Sequence, residues 1–169
     1  MTTLDKVCTH MIDYYAGDPK QIQHFVKVHS FAALIGRLEG LDDQTQFTLE
    51  AAAYVHDIGI KPAMERYGSS AGPYQEELGQ APARALLSDC GVDKATIERV
   101  AYLVGRHHTY TDIDGADYQI LVEADFLVNL YEGQKSPEVI RHTYDTIFKT
   151  PSARRICAAM FGPDTQAGR

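Results

Sequence analysis

Thiol chemistry has little to work with in this 169-residue chain: Cys8, Cys90 and Cys157 are odd in number, widely spaced and form no CxxC pair. That excludes a disulfide framework and a thiolate zinc site, and the three read as buried or incidental thiols. Basic charge is scarce too. Sixteen Lys and Arg against 23 Asp and Glu leave a net charge of -7, which opposes a nucleic-acid surface, because binding a phosphate backbone depends on clustered cations that release counterions. A small anionic substrate stays open, since a local cation can outweigh a long-range field that salt screens over about 8 to 10 Å.

Long apolar runs are missing as well. Nothing approaches the roughly 18 to 20 uncharged residues needed to span a bilayer, and Met1 to Asp13 lacks the basic-then-apolar pattern of a leader. The expectation is a soluble, cytoplasmic protein with no membrane partner, in which homo-oligomerisation is left open. Repeats, low-complexity tracts and linkers are absent, and no segment reads as a convincing strand.

What is present is apolar substance in helical spacing. With 44% hydrophobic residues over 169 positions, the chain can fill the core of one domain, 1–169. Leu4 to Ala16 predicts a first helix. Asp18-Pro19 then starts Lys20 to Leu38, stopped by Gly40, and Asp42-Asp43 opens Gln44 to Asp57. Gly59, Pro62, Gly68, Gly72 and Pro73 predict a loop over 59–74 that carries Lys61, Arg66 and Tyr67. Helical spacing resumes over Gln75 to Ser88 and, capped by Asp93, up to His108. Tyr118 to Tyr131 is apolar on nearly every side and is expected at the centre. A last region, Glu138 to Phe161, breaks near Thr150-Pro151, giving C-terminal helices over about 136–163.

Polar residues on apolar faces are the informative exceptions. His56-Asp57 closes the run Leu49 to Val55, and burying both groups costs several kcal/mol unless something pairs with them. Neighbours on a helix point about 100° apart, so both reach one ion only across the helix's end, which Gly59 permits. His29 shares a stripe with Ile22, Phe25, Val26 and Ala33, either as a core histidine satisfied by a carbonyl or as a ligand. Asp125, between Leu121 and Val128, needs an Arg or a metal, and Asn129 one turn on could orient it, although an ordinary surface or core amide is the first reading of that residue. His107 and His108 follow Val104 by three and four positions, so both can face inward, although a favourable helix-dipole contact would also place them there.

His29, His56-Asp57 and Asp125, carried in VKVHSFAALIG, EAAAYVHDIGI and ILVEADFLVNL, resemble the signature of the HD superfamily of metal-dependent phosphohydrolases: a His, a His-Asp doublet and a distant Asp. The resemblance covers about residues 20–131. It implies an all-α, single-domain bundle of roughly six to eight helices around a metal site. It also implies His29, His56, Asp57 and Asp125 as ligands of one or two divalent ions, with iron, manganese, zinc, cobalt, nickel and magnesium all admissible. His107 and His108 resemble the paired histidines that complete a second site in the HD-GYP branch. The chain departs from that branch in offering Gln75, Glu76 and Glu77, with no His, before Gly79, and Ile-Gly-Ile after the doublet. A one-metal site and a second metal held partly by glutamate both stay open, with substrate binding as the other role for the histidine pair.

The implied chemistry is hydrolysis of a phosphomonoester or phosphoanhydride of a small phosphorylated molecule, a nucleotide above all, by metal-activated water. Asp57 would be both ligand and proton acceptor. Lys61, Arg66 and Arg106 are candidates for holding phosphate oxygens, and Lys61, Glu76 and Glu77 for further catalytic roles, a glutamate or one of the paired histidines serving as proton donor. Two alternatives accompany this expectation: a non-catalytic module that binds metal and nucleotide, and an HD-type di-iron oxygenase.

Overall fold

The computed structural model describes residues 1–162 as nine helices, with no strand among them: α1 (Thr3–Tyr14), α2 (Pro19–Leu38), α3 (Asp43–Val55), α4 (Ile60–Tyr67), α5 (Gly72–Asp89), α6 (Lys94–Val104), α7 (Ala116–Glu132), α8 (Pro137–Thr146) and α9 (Pro151–Phe161). The end of the 136–163 expectation and the rest of the tail to 169 lie outside the described residues.

Most helix starts are written in the sequence. Asp18, Asp42, Asp93, Ser136 and Thr150 each accept a backbone N–H of the first turn, and Thr2 with Asp5 forms a reciprocal cap. Proline follows three of these caps, at Pro19, Pro137 and Pro151, where its missing N–H costs nothing.

The segment 59–74 corrects the sequence expectation. It is a helix, α4, and a short connection. Gly59 has right-handed helical angles, and Pro62 falls in the first turn, where no N–H is required, so neither residue breaks the chain. The break comes at Gly68, whose φ of 64° is left-handed. Gly59 is needed for another reason: a Cβ there would stand 2.4 Å from the Gln75 carbonyl oxygen and 3.0 Å from Gly79 Cα. The small pair lets α5 lie directly against the end of α3.

Helix α7 is central, as its all-round apolarity implies. It packs on α2 and α3, while α6 bridges α3 and α5, α1 leans on α3, and α9 touches both α7 and α2. Phe25, Val28 and Ile35 of α2, Leu49 and Val55 of α3, Val100 and Val104 of α6, and Ile120, Leu121 and Leu127 of α7 belong to one buried cluster. Helices α3 and α6 both stop short of their histidines. Hydrogen-bonded turns follow Val55 and Val104, so His56-Asp57 and His107-His108 lie on the unwinding ends of two neighbouring helices, aimed at α2 and α7.

Candidate metal centre

Four side chains from three elements converge at this end of the bundle. His24 Nε2 of α2 lies 3.3 Å from His56 Nε2. Asp57 Oδ2 is 3.2 Å from His24 Nε2 and 3.4 Å from His56 Nε2, and Asp125 Oδ1 stands at the same two distances from the same atoms. His24, His56 and Asp57 form a mutually close set within 4.8 Å, which Asp125 joins through the two imidazoles. All four are buried.

A second set shares Asp57. Its other oxygen, Oδ1, is 3.3 Å from His107 Nε2, and His108 completes a group within 4.8 Å. Although close to the carboxylate, His107 Nε2 makes no hydrogen bond and is fully buried. A buried polar atom without a partner costs about 1–3 kcal/mol, so this nitrogen is suited to a partner beyond the protein's own side chains.

The surroundings fix which atoms face inward. His56 Nδ1 is 2.8 Å from Ala53 O, and His107 Nδ1 is 2.8 Å from Val104 O. Each contact puts the Nδ1 proton on a carbonyl and turns Nε2 toward the carboxylates. His24 Nδ1 faces both Glu132 oxygens at 3.4 Å. Asn129 donates to Asp125 Oδ1 at 2.9 Å, in the orienting position open to it from the sequence, and Gln21 donates to Asp57 Oδ2 at 2.9 Å. Behind the doublet, the Tyr15 and Tyr14 hydroxyls donate to the carbonyls of Asp57 and Ile58.

Charge balance decides protonation. Burial opposes a charge on His24, yet hydrogen bonds to Asp125 and Asp57 outweigh it and lift the imidazole to about 9. Burial likewise opposes a charge on His56, but the Asp57 and Asp125 carboxylates raise it well above its ordinary value. The same burial would raise both acids. Instead His56, His107 and His24 hold Asp57 well below the carboxylate range, and His24 and His56 do so for Asp125. Protons and a divalent cation thus compete for the same nitrogens. His108 differs, because burial and then the neighbouring His107 push it down to about 4.

These donors fit a divalent ion. Imidazole nitrogen and carboxylate oxygen suit first-row transition metals, and the hydrogen bonds behind them provide the orientation such a ligand set needs.

One expected ligand is elsewhere. His29 corrects to His24: its Nε2 is 2.9 Å from Glu50 Oε2, and its ring stacks on Tyr54 at 3.9 Å between centroids. Five residues apart on one helix, the two histidines point about 140° from each other. The stripe through His29 mixes buried Phe25 and Ala33 with Val26, which is 38% exposed, whereas His24 leads the wholly buried series Val28, Ala32 and Ile35. That spacing, readable in the sequence, was the missed signal.

The outer residues also settle elsewhere. Lys61 donates to the Tyr14 carbonyl and lies over the Tyr14 and Tyr15 rings, bracing α1. Arg66 pairs with Glu77 at 3.8 Å and lies over Tyr67, whose hydroxyl donates to Glu77. Arg106 sits over Tyr102. Glu76 accepts from the His108 N–H and the Thr109 hydroxyl, so it clasps the turn behind the histidine pair. None of these five lines the cavity at the cluster, which has a volume of about 410 Å³ and is lined by Lys20, Gln21, His24, Asp57, Gln75, His108, Asp125, Asn129, Glu132 and Lys135 among others. Lys20, Gln21, Glu132 and Lys135 played no part in the sequence expectation.

A helical bundle with a buried His/Asp cluster at the ends of α3 and α6 is the class this geometry defines. Among solved structures the chain is similar to the crystal structure of a predicted HD superfamily hydrolase from an uncultured Thermotogales bacterium. Identity is 23% over 96% of this chain and 87% of that one, with a TM-score of 0.69. The likeness shows the fold, which is all-helical and of the HD type. No family model matches the chain, and no curated protein matches it. Among the described residues no helix is long and apolar enough to cross a membrane.

Proposed function

We propose that the protein is a metal-dependent hydrolase of the HD type that cleaves a phosphomonoester or phosphoanhydride of a small molecule, a nucleotide in particular. The observation that carries this reading is the convergence of His24 Nε2, His56 Nε2, Asp57 Oδ2 and Asp125 Oδ1 in one buried cluster beside a cavity of small-molecule size. The four side chains would hold one divalent ion. Asp57 Oδ1 with His107 and His108 would hold a second. When bound, such an ion supplies Lewis acidity toward a phosphoryl oxygen and acidifies water for attack.

The protein's own groups do the rest. Asp57, kept ionised by three imidazoles, is an acceptor on both of its oxygens, while Gln21 and the Tyr15 hydroxyl hold its side chain and backbone in place. Asn129 and Glu132 orient Asp125 and His24 from behind. Burial and the neighbouring His107 keep His108 neutral at neutral pH, the form in which an imidazole would hold an ion.

The test is metal analysis of the purified protein followed by phosphate release from a panel of nucleotides and small phosphomonoesters. Near-stoichiometric metal and release that His24→Ala and Asp125→Ala both abolish are expected. Nucleotide binding without turnover over hours would replace this reading with a binding module, and oxygen consumption by iron-loaded protein without phosphate release would replace it with an oxygenase.

A further inference from the structure

The basic residues expected to hold phosphate are all engaged away from the cavity, which leaves open what meets an anionic substrate there. Apart from its histidines, the cationic side chains lining the cavity are Lys20, in the first turn of α2, and Lys135, just beyond α7. Neither forms an ion pair among the described residues, whereas Lys27, on the next turns of α2, is fastened to Glu132 at 2.9 Å.

Lys135 is brought to the cavity by an unusual helix end. The Lys135 N–H reaches back to Leu130 O at 3.1 Å and the Gln134 N–H to Tyr131 O at 3.0 Å, a closing turn that requires left-handed backbone at residue 134. Glycine or asparagine usually takes that place. Here it is Gln134, with φ of 46°. Gly133 precedes it, and a Cβ on Gly133 would stand 2.9 Å from Lys135 Cε and 3.5 Å from its Nζ. The aliphatic stem of Lys135 therefore lies back across Gly133, and a side chain at 133 would push it away. Strained backbone held at a cavity mouth points to a positional requirement.

We infer that Lys20 and Lys135 bind the phosphate oxygens of the substrate at the cavity mouth, with the turn Gly133-Gln134-Lys135 setting the position of the second lysine. The other charged side chains facing the cavity are Asp57, Asp125 and Glu132, so without these two lysines a phosphorylated molecule would meet mainly acidic groups on its way in. The inference rests on the phosphohydrolase reading for its substrate class, but binding alone can test it.

The experiment is calorimetric titration of inorganic phosphate into manganese-loaded protein, with KM and kcat for p-nitrophenyl phosphate measured alongside. Lys20→Gln and Lys135→Gln are each expected to weaken phosphate binding and raise KM by about five- to tenfold, the scale of one charge-assisted hydrogen bond partly open to solvent. Manganese affinity and kcat should move less than about twofold, and Arg66→Gln, on the outer face of α4, should change nothing. Gly133→Ala should mimic the loss of Lys135 in the parent protein and add nothing in the Lys135→Gln background, because both act through one side chain. Phosphate binding by the double lysine variant equal to that of the parent, or no phosphate binding by the parent, overturns the inference. Lysine-dependent phosphate binding without hydrolysis of any ester sustains it and removes the hydrolase reading instead.

Discussion

Helix α7 buries two carboxylates two residues apart, and they have opposite fates. Two residues turn a helix by about 200°, so Glu123 and Asp125 face opposite sides of the bundle. Glu123 is fully buried and answered by the chain itself: Oε1 accepts from Lys149 N at 2.6 Å, Thr150 N at 2.9 Å and Gln119 Nε2 at 2.9 Å, and Oε2 from the Thr150 hydroxyl at 2.7 Å. It is a peg that fixes the start of α9. Asp125 has one amide donor, Asn129, and otherwise faces two imidazoles that also face each other and Asp57. A buried acid whose partners are fixed donors holds structure together. One whose partners are titratable ligands is available for exchange with an ion.

The largest expected effect breaks the second half of that contrast. Asp125→Ala or His56→Ala should abolish stoichiometric metal binding and lower hydrolysis by at least about a hundredfold, since losing even a residue that merely orients a ligand costs about 10–100-fold. Metal content by mass spectrometry and phosphate release check it, and full retention of both in either variant would end the assignment. Glu132→Gln is the milder probe of the same cluster. It keeps an acceptor for His24 Nδ1 but not the charge, so metal affinity should fall by about tenfold while the fold is kept.

The other half predicts stability without chemistry. Glu123→Ala leaves two backbone N–H groups, a hydroxyl and an amide without their acceptor, and at about 1–3 kcal/mol per orphaned buried donor, partly relieved by water, a loss of about 3 kcal/mol is expected. Urea denaturation reads it, and metal content per folded molecule should be unchanged. A Glu123 variant that folds as well as the parent but loses metal would erase the distinction between the two acids.

Asp125 was legible in the sequence and Glu123 was not, for a physical reason. An acid flanked by Leu121 and Val128 at helical spacing announces burial, but three of the four donors that satisfy Glu123 come from residues 149 and 150, beyond an intervening helix, and no local pattern points to them. The doublet and the helix starts were legible because caps and apolar runs are local. The outer roles of Lys61, Arg66 and Arg106 were not, since residue type alone does not tell a cation facing a cavity from one lying over Tyr14, Tyr67 or Tyr102. The 59–74 segment failed on the same ground: a glycine and a proline break a helix only in particular positions.

Acidity sharpens the contrast next. In metal-free protein His24 is raised from 6.5 to about 9, so its contribution to stability is complete below about pH 6.5 and is lost as pH rises through 9. Asp57 and Asp125 are lowered from 3.8, so theirs is present above about pH 4 and lost on acidification. The thermal midpoint with a chelator should therefore be highest near pH 6.5, because His108 and His29, both lowered, lose their contribution as pH falls below that, and should decline toward pH 9. Saturating manganese should remove the alkaline decline, because the metal binds the deprotonated imidazoles and its affinity increases as they lose their protons. A chelated protein whose midpoint keeps rising up to pH 9 would show that the imidazoles hold no proton between the carboxylates.

The smallest effect separates the two histidines of α2. His29 pairs with Glu50 at 2.9 Å and stacks on Tyr54, a half-buried contact that links α2 to α3. Burial first, only partly offset by Glu50, lowers its pKa, so at neutral pH the contact is a hydrogen bond between a neutral ring and a carboxylate, worth about 1 kcal/mol with its stacking. His29→Gln should cost at most that much stability and leave metal content and phosphate release untouched, whereas His24→Gln should remove the metal at nearly unchanged fold. The pair is decisive because the two residues share a helix and a chemistry and differ only in direction. If His29→Gln loses metal and His24→Gln retains it, the side of α2 that faces the cluster has been misplaced by 140° or so, and the rotation of that helix against α7 must be redrawn.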